Sequence, residues 1–207
     1  MDTQGLLVKG FKARFYDLRQ LLNGGYFVYL QALKLIELHP GNTLLDVGCG
    51  TGKFLRMLRN KYPLADLYGI EPSLDMLAIA GRENRKKNAR LHLSAGNAER
   101  LEFQNEMFDW VLSSLTFHHL PMLLKQKAIE ESYRVLKHGG RILIVDYGPP
   151  SNLLARLYGN FIWSEHAFTQ ENFDGELYRI LTRTKFRVET ATVQGGIMHH
   201  ILAVKEP

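Results

Sequence analysis

Cysteine is all but missing. Cys49 stands alone among 207 residues, so no disulfide forms within the chain, and a metal site built only of cysteines is excluded. Long apolar runs are missing as well. The longest helical apolar pattern, Tyr26 to Leu38, is interrupted by Gln31, Lys34 and Glu37, so no segment is expected to span a bilayer. The first residues lack the basic, then apolar, then small-residue order of a secretory leader, and the expectation is a cytoplasmic protein. Low-complexity tracts, internal repeats and dividing linkers are absent too, which points to one domain at this length.

What is there reads as an ordinary folded chain. Apolar residues make up 45% and charged residues 23%, a balance that argues against disorder. The formal net charge is +5, but the cations are scattered. The densest run, "RENRKKNAR" from Arg82 to Arg90, is expected to be the solvated end of a helix.

The first forty residues predict helix, turn, helix. "FKARFYDLRQLL" places apolar residues at 11, 15, 18, 21 and 22, a helical stripe; Asn23-Gly24-Gly25 ends it, and "YFVYLQALKLIEL" repeats the pattern up to His39-Pro40-Gly41. The texture then alternates. Strands are expected at "TLLDV", "ADLYGIE", "RLHLSAG", "MFDWVLSS" and "RILIVDY". Helices are expected between them, at Lys53 to Lys61, at "LDMLAIAGRENRKK" capped by Ser73, and at "LLKQKAIEESYRVLKHGG", ended by its glycine pair. Such alternation predicts a parallel sheet covered on both faces. Beyond Pro149-Pro150, helical stretches near Leu153 to Trp163 and Gln170 to Arg183 precede two β-rich runs around Gly195-Gly196, which predict an antiparallel hairpin.

"LLDVGCGTGKF", Leu44 to Phe54, is the segment richest in chemistry. A phosphate-cradling loop needs a lysine followed by Ser or Thr after its last glycine, and here Phe54 follows Lys53. A dinucleotide loop needs a third glycine where this chain has Lys53. Asp46, two residues before Gly48, would also face a bound phosphate at short range, a repulsion that is costly in a partly dry site. A cationic ligand turns the same carboxylate into an asset.

At this point the chain resembles the class I S-adenosylmethionine-dependent methyltransferases, of the small-molecule type. The glycine segment is similar to the family's first motif. The likeness continues in order through "LYGIEPSLDML", "AGNAERLEF", "FDWVLSSLTFHHL" and "RVLKHGGRILIVD", covering roughly residues 40 to 147. It implies a Rossmann-like, doubly wound α/β fold with a mostly parallel seven-stranded sheet, a C-terminal antiparallel hairpin and helices on both faces. All of 1–207 would form a single methyltransferase domain, with 1–40 as an N-terminal helical lid, 41–147 as the cofactor-binding core, and 148–207 as a helical insert plus hairpin.

The cofactor implied is S-adenosyl-L-methionine, leaving as S-adenosyl-L-homocysteine. Gly48, Cys49, Gly50 and Gly52 would let the backbone approach its amino-acid end, and Asp46 would compensate its ammonium. Glu71, about 20 residues past Gly50, would accept from the ribose hydroxyls, as in dinucleotide folds, with Pro72 beside it. Asn97 and Ala98 fall where the family contacts adenine. The family most often has an acid at position 97, and an amide oxygen still accepts from an amino group without full charge assistance. Met76 would lie against the adenine face or serve as core. Ser113, Ser114 and Leu115 would flank the thioether arm, and Tyr16 would belong to the lid or to its helix's packing stripe.

A base is needed only where the acceptor must lose a proton. His118 and His119 follow the fourth strand and are the candidates, with loop packing as their other reading. His199 and His200 alternate across the last strand, apart from the chemistry, and no metal site is expected. The motif of base-amino methyltransferases is missing from "SSLTFHH", and no basic stripe interleaved with aromatics suits nucleic acid. The apolar segments 1–40 and 148–183, with Trp163, suit a small lipid- or quinone-like acceptor. A catalytically silent S-adenosylmethionine-binding or scaffold protein is the alternative. An NAD-dependent oxidoreductase is disfavoured by Asp46 and the missing third glycine, and the oligomeric state is not legible.

Overall fold

The computed structural model describes residues 25–165 and 168–206, with side chains at 160–165 set aside. The first expected helix and most of the expected lid therefore lie outside the described residues. Helix α1, Gly25–Leu35, leads into β1 (Thr43–Val47), α2 (Lys53–Lys61), β2 (Asp66–Glu71), α3 (Leu74–Lys86) and β3 (His92–Ala95). Then come β4 (Phe108–Ser114), a 3-10 turn at Phe117–His119, α4 (Met122–Val135) and β5 (Leu136–Tyr147). Helices α5 (Leu153–Glu165), α6 (Thr169–Phe173) and α7 (Glu176–Arg183) precede the hairpin β6 (Phe186–Gln194) and β7 (Met198–Lys205).

The seven strands form one sheet in the order β3-β2-β1-β4-β5-β7-β6. The first five are parallel, and β7 enters antiparallel between β5 and β6. Side chains along the central strands alternate between two cores. Leu45, Val111, Ile142 and Ile144 face Ala128 and Ile129 of α4 and Leu177, Ile180 and Leu181 of α7. Leu44, Trp110, Leu112, Leu143 and Val145 face Val28, Tyr29 and Ala32 of α1 and Phe54, Leu55 and Leu58 of α2. Each layer therefore buries one apolar helix face against the sheet, as the alternating pattern predicts, and the doubly wound fold follows.

Three boundaries differ from the sequence reading. The helix expected to run to Gly140 stops at Val135, because Leu136 is fully buried and pairs with Phe108 of β4. The register then jumps to Trp110 opposite Arg141, so the glycine pair sits in a bulge inside β5 rather than at a helix end. The stretch from Gln170 to Arg183 is two helices, broken at Asp174-Gly175. Upstream, α1 ends at Leu35 rather than Leu38.

Candidate active site

Strand β1 lies between β2 and β4, so its two crossovers leave in opposite directions. A crevice opens at the carboxyl ends of β1 and β4, the switch point at which open α/β sheets take their ligands. Gly48 N and Cys49 N both donate to the Ile70 carbonyl, at 3.0 and 2.9 Å, pinning the bend after β1 to the end of β2. Gly48 has φ +80°, and a Cβ there would come within 2.3 Å of Thr116 Oγ1. Only glycine serves both demands. Thr51 turns its carbonyl to the buried Arg56, whose Nη1 donates at 2.7 Å, which fixes the far side of the loop.

Glu71, the last residue of β2, couples the bend to the next helix. Its Oε2 accepts from Gly50 N at 2.9 Å, and its Oε1 accepts from Ser73 N at 2.9 Å. Ser73 caps α3, its side chain accepting from Met76 N. Burial pushes the Glu71 carboxyl upward, and the hydrogen bonds from Ser73 and Gly50 pull back only part of that shift.

Beneath the bend lies Asp46, 2% exposed, with its Oδ1 buried and without a hydrogen-bond partner. Burial, then the nearby Glu71 charge, push its carboxyl up to about 8. Cys49 feels the same surroundings: burial first, then Asp46 and Glu71, raise its thiol well above the ordinary range, so it stays a neutral wall group rather than a nucleophile.

These elements enclose a cavity of about 920 Å³, counting its open mouth. Of the residues singled out from sequence, Gly48, Cys49, Gly50, Glu71, Pro72 and Met76 line it. Asn97, Ala98, Ser114, Leu115 and His119 line it as well. Asp46 sits under the floor rather than in the wall. Gly52 lies behind the loop, donating from its amide to the Cys49 carbonyl at 2.8 Å, and Tyr16 lies outside the described residues.

The histidine pair is split. His118 is buried and bonded through Nδ1 to Asp146 Oδ1 at 2.8 Å, so it faces the sheet, while its neighbour His119 faces the cavity. Asp146, at the end of β5, also accepts from the amides of Thr116, His118 and Tyr147. One buried carboxylate thus holds the whole turn that carries His119. Burial works to raise the Asp146 carboxyl, but the His118 charge, the hydrogen bond from the His118 ring and that from the Tyr147 amide outweigh it and hold it below the usual range.

Sequence reasoning missed Asp146 as an anchor. It also missed Tyr29, Glu99, Thr116 and Leu120 in the cavity wall. Tyr29 arrives from α1, stacked on Phe54 with ring centroids 4.8 Å apart. Glu99, Thr116 and Leu120 stood inside the recognised segments, next to Ala98, Leu115 and His119. His199, bonded to Tyr178 and the Pro149 carbonyl, and His200, bonded to Gln194, lie away from the cavity wall.

Fold and cavity together define a Rossmann-like α/β domain with its cavity at the switch point. Residues 45–144 match the family described as a methyltransferase domain. The chain is 31% identical over 156 residues to a ubiquinone/menaquinone biosynthesis C-methyltransferase of Syntrophotalea carbinolica, covering 73% of this chain and 64% of that one. It is 35% identical over 127 residues to phosphoethanolamine N-methyltransferase 2 of Caenorhabditis elegans, covering 60% of this chain and 28% of that one. It therefore spans less than two thirds of either curated relative. Among solved structures, the geranyl diphosphate C-methyltransferase of Streptomyces coelicolor shares the fold, with a TM-score of 0.72 at 15% identity over 91% of this chain and 82% of that one. Among the described residues, no helix is long and apolar enough to cross a membrane.

Proposed function

We propose that this chain is a methyltransferase that binds S-adenosylmethionine at the switch-point cavity and methylates a small, lipid- or quinone-like acceptor. The observation that carries the reading is the unpartnered Asp46 oxygen beneath the glycine bend. A buried carboxylate in that state is costly, and a cationic group entering above it supplies the missing donor and charge. The ammonium of the methionine moiety fits that need, and a pyrophosphate does not.

Around it, the Glu71 carboxylate has lone pairs left over from its two backbone bonds, enough to accept from ribose hydroxyls. Met76, Asn97 and Ala98 line the end that suits an adenine. Ser114 and Leu115, also in the cavity wall, would flank the thioether arm. The cofactor supplies a methyl group on a sulfonium, already activated for in-line displacement, so the chain's task is positioning and exclusion of water. With that group bound, its methyl carbon would pass to the acceptor's nucleophilic atom as the carbon–sulfur bond broke towards sulfur, and any proton on the nucleophile would have to leave. We assign its removal to His119, which faces the cavity, and assign His118 to holding the turn through Asp146.

The acceptor class rests on the quinone C-methyltransferase relative, matched over most of this chain, and on the apolar wall groups Leu115 and Leu120 beside His119. The test is incubation with methyl-labelled S-adenosylmethionine and cell extract separated into organic-soluble, protein and RNA fractions. Label in organic-soluble small molecules is expected. Label in RNA or protein alone overturns the acceptor class. Tight cofactor binding without label anywhere supports a silent binding protein instead.

A further inference from the structure

Among the described residues, the large apolar side chains left exposed are not spread evenly over the fold. Leu64, just ahead of β2, stands at the amino end of the parallel strands. The others stand at the carboxyl end, where the cavity opens. Tyr26 and Phe27 begin α1, one turn before Tyr29 in the cavity wall. Leu74 begins α3 and Leu123 lies in the first turn of α4, close in sequence to the wall residues Met76 and Leu120. Val193, near the end of β6, is across β7 from Asp146. Surface ion pairs lie the other way. Lys137–Asp109, His138–Glu106, Arg141–Glu189 and Arg187–Glu206 gather at the amino end, with contacts of 2.7 to 3.2 Å.

Helix α5 shows the asymmetry most sharply. Ala155 is buried, and a Cβ on Gly159 would come within 3.2 Å of Ile197 Cδ1 and Phe173 Cε2, so the small residues face the protein. Leu153, Leu154, Leu157 and Tyr158, between 53 and 78% exposed, share the opposite face. A surface helix of a globular protein turns its large apolar residues inward, and an exposed apolar patch marks a place of interaction.

Charge indicates the partner. From Ser151 to Trp163 the sequence holds Arg156 and no acid. The 24 residues ahead of Gly25, which join the fold at this same end, carry Lys9, Lys12, Arg14 and Arg19 against Asp2 and Asp17. An apolar helix face edged with cations suits the headgroup layer and upper acyl region of a bilayer that contains anionic lipids. Apolar side chains on several elements around one opening also suit a broad lipid surface better than a single docked helix.

We propose that the carboxyl end of the sheet docks on the surface of an anionic lipid bilayer, with the outer face of α5 and Phe27 in the headgroup layer. The protein then lies on the membrane rather than across it, its cavity mouth turned towards the lipid. Under the acceptor reading above, on which this purpose rests, a lipid-like acceptor reaches the cavity without passing through water.

Co-sedimentation of the full chain with vesicles tests this with neither cofactor nor acceptor present, so docking is read apart from methyl transfer. Binding is expected to vesicles of phosphatidylcholine and phosphatidylglycerol in equal parts, and more weakly to phosphatidylcholine alone. The triple variant Leu153→Ser, Leu154→Ser, Leu157→Ser should reduce binding about 10- to 100-fold through lost apolar burial. Phe27→Ser, an independent variant on another helix, should weaken it by a smaller factor. Leu64→Ser, at the far end, should leave it unchanged. All these side chains are exposed, so unfolding midpoints and S-adenosylhomocysteine affinity are expected to hold, which separates lost docking from lost folding. No binding to either kind of vesicle, or equal binding by the triple variant, overturns the proposal and leaves the methyltransferase reading in place. Self-association that the triple variant abolishes, without vesicle binding, assigns the face to a second copy of the chain and overturns it too.

Discussion

The Gly50 amide donates to Glu71 Oε2 at 2.9 Å, so the glycine bend and the acid ending β2 form one unit rather than two neighbouring features. Removing the carboxylate both frees the loop and deletes an acceptor from the cavity. Glu71→Ala is expected to weaken S-adenosylhomocysteine binding by about 10- to 100-fold, the effect of losing hydrogen bonds to a charged group. Glu71→Gln, which keeps acceptor geometry at one oxygen, should recover part of the loss. Calorimetric titration measures both, and full affinity in Glu71→Ala would place the cofactor elsewhere.

Gly48 makes a separate prediction, on stability. Its φ of +80° and the 2.3 Å approach of Thr116 Oγ1 to an added Cβ act together. The left-handed backbone alone costs an alanine about 1–2 kcal/mol, and the threonine must also move. Gly48→Ala should lower the unfolding midpoint clearly. Gly48→Ala with Thr116→Ser, which removes one methyl group from the crowded side chain, should regain part of it. Gly50, with 3.5 Å to Met76 Cε, is less crowded, so Gly50→Ala should harm cofactor binding more than folding.

His118 and His119 are expected to separate. His118→Ala leaves Asp146 buried without its ring partner. Breaking a buried pair costs at least about 3 kcal/mol when nothing else holds the remaining charge, and the amides of Thr116, His118 and Tyr147 soften that here. Its signature is a lowered unfolding midpoint. His119→Ala should leave the midpoint near that of the unaltered protein and reduce turnover while cofactor affinity holds. The Asp146 carboxyl is held below its ordinary range in the fold, so its stabilisation is present at neutral pH. It is lost as pH falls below the unfolded carboxylate value of about 3.9 towards the folded one. Asp146→Asn should therefore flatten the acid limb of the stability curve.

How much of this could be read in advance depends on how local the cause is. The glycine bend, the acid ending β2 and the serine cap of α3 were legible because each answers to its own few residues: Gly48 to its dihedral, Ser73 to the free amide of Met76. That the first five strands run parallel followed from their alternation with helices. The end of α4 was not legible. Glycines usually stop helices, but Leu136 finds a strand partner in Phe108 before the glycines are reached, and that partner lies far off in sequence. The division of labour within His118-His119 was hidden for the same reason, since Asp146 stands 28 residues away. Tyr29 reads as one more apolar residue on a helix until Phe54 stacks beneath it.

Asp46 gives the pH dependence its sign. Its folded carboxyl is raised to about 8 by burial and by Glu71, so the folded protein holds a proton that the unfolded chain releases near pH 3.9. Stability from this group is complete below that value and falls as pH rises towards 8. Asp46→Asn should consequently unfold at a higher temperature than the unaltered protein at pH 8, and the gap should close on acidification.

The same proton reports on the ligand. A cationic ammonium above Asp46 favours its ionised form, so binding at pH 6.5 must expel the proton. The decisive measurement is calorimetric titration of S-adenosylmethionine at that pH in two buffers of different ionisation enthalpy. Release of close to one proton is expected from the unaltered protein, and close to none from Asp46→Asn, which should also bind more weakly. Binding with no proton released, or with equal release from both proteins, would contradict the pairing of Asp46 with the cofactor's ammonium.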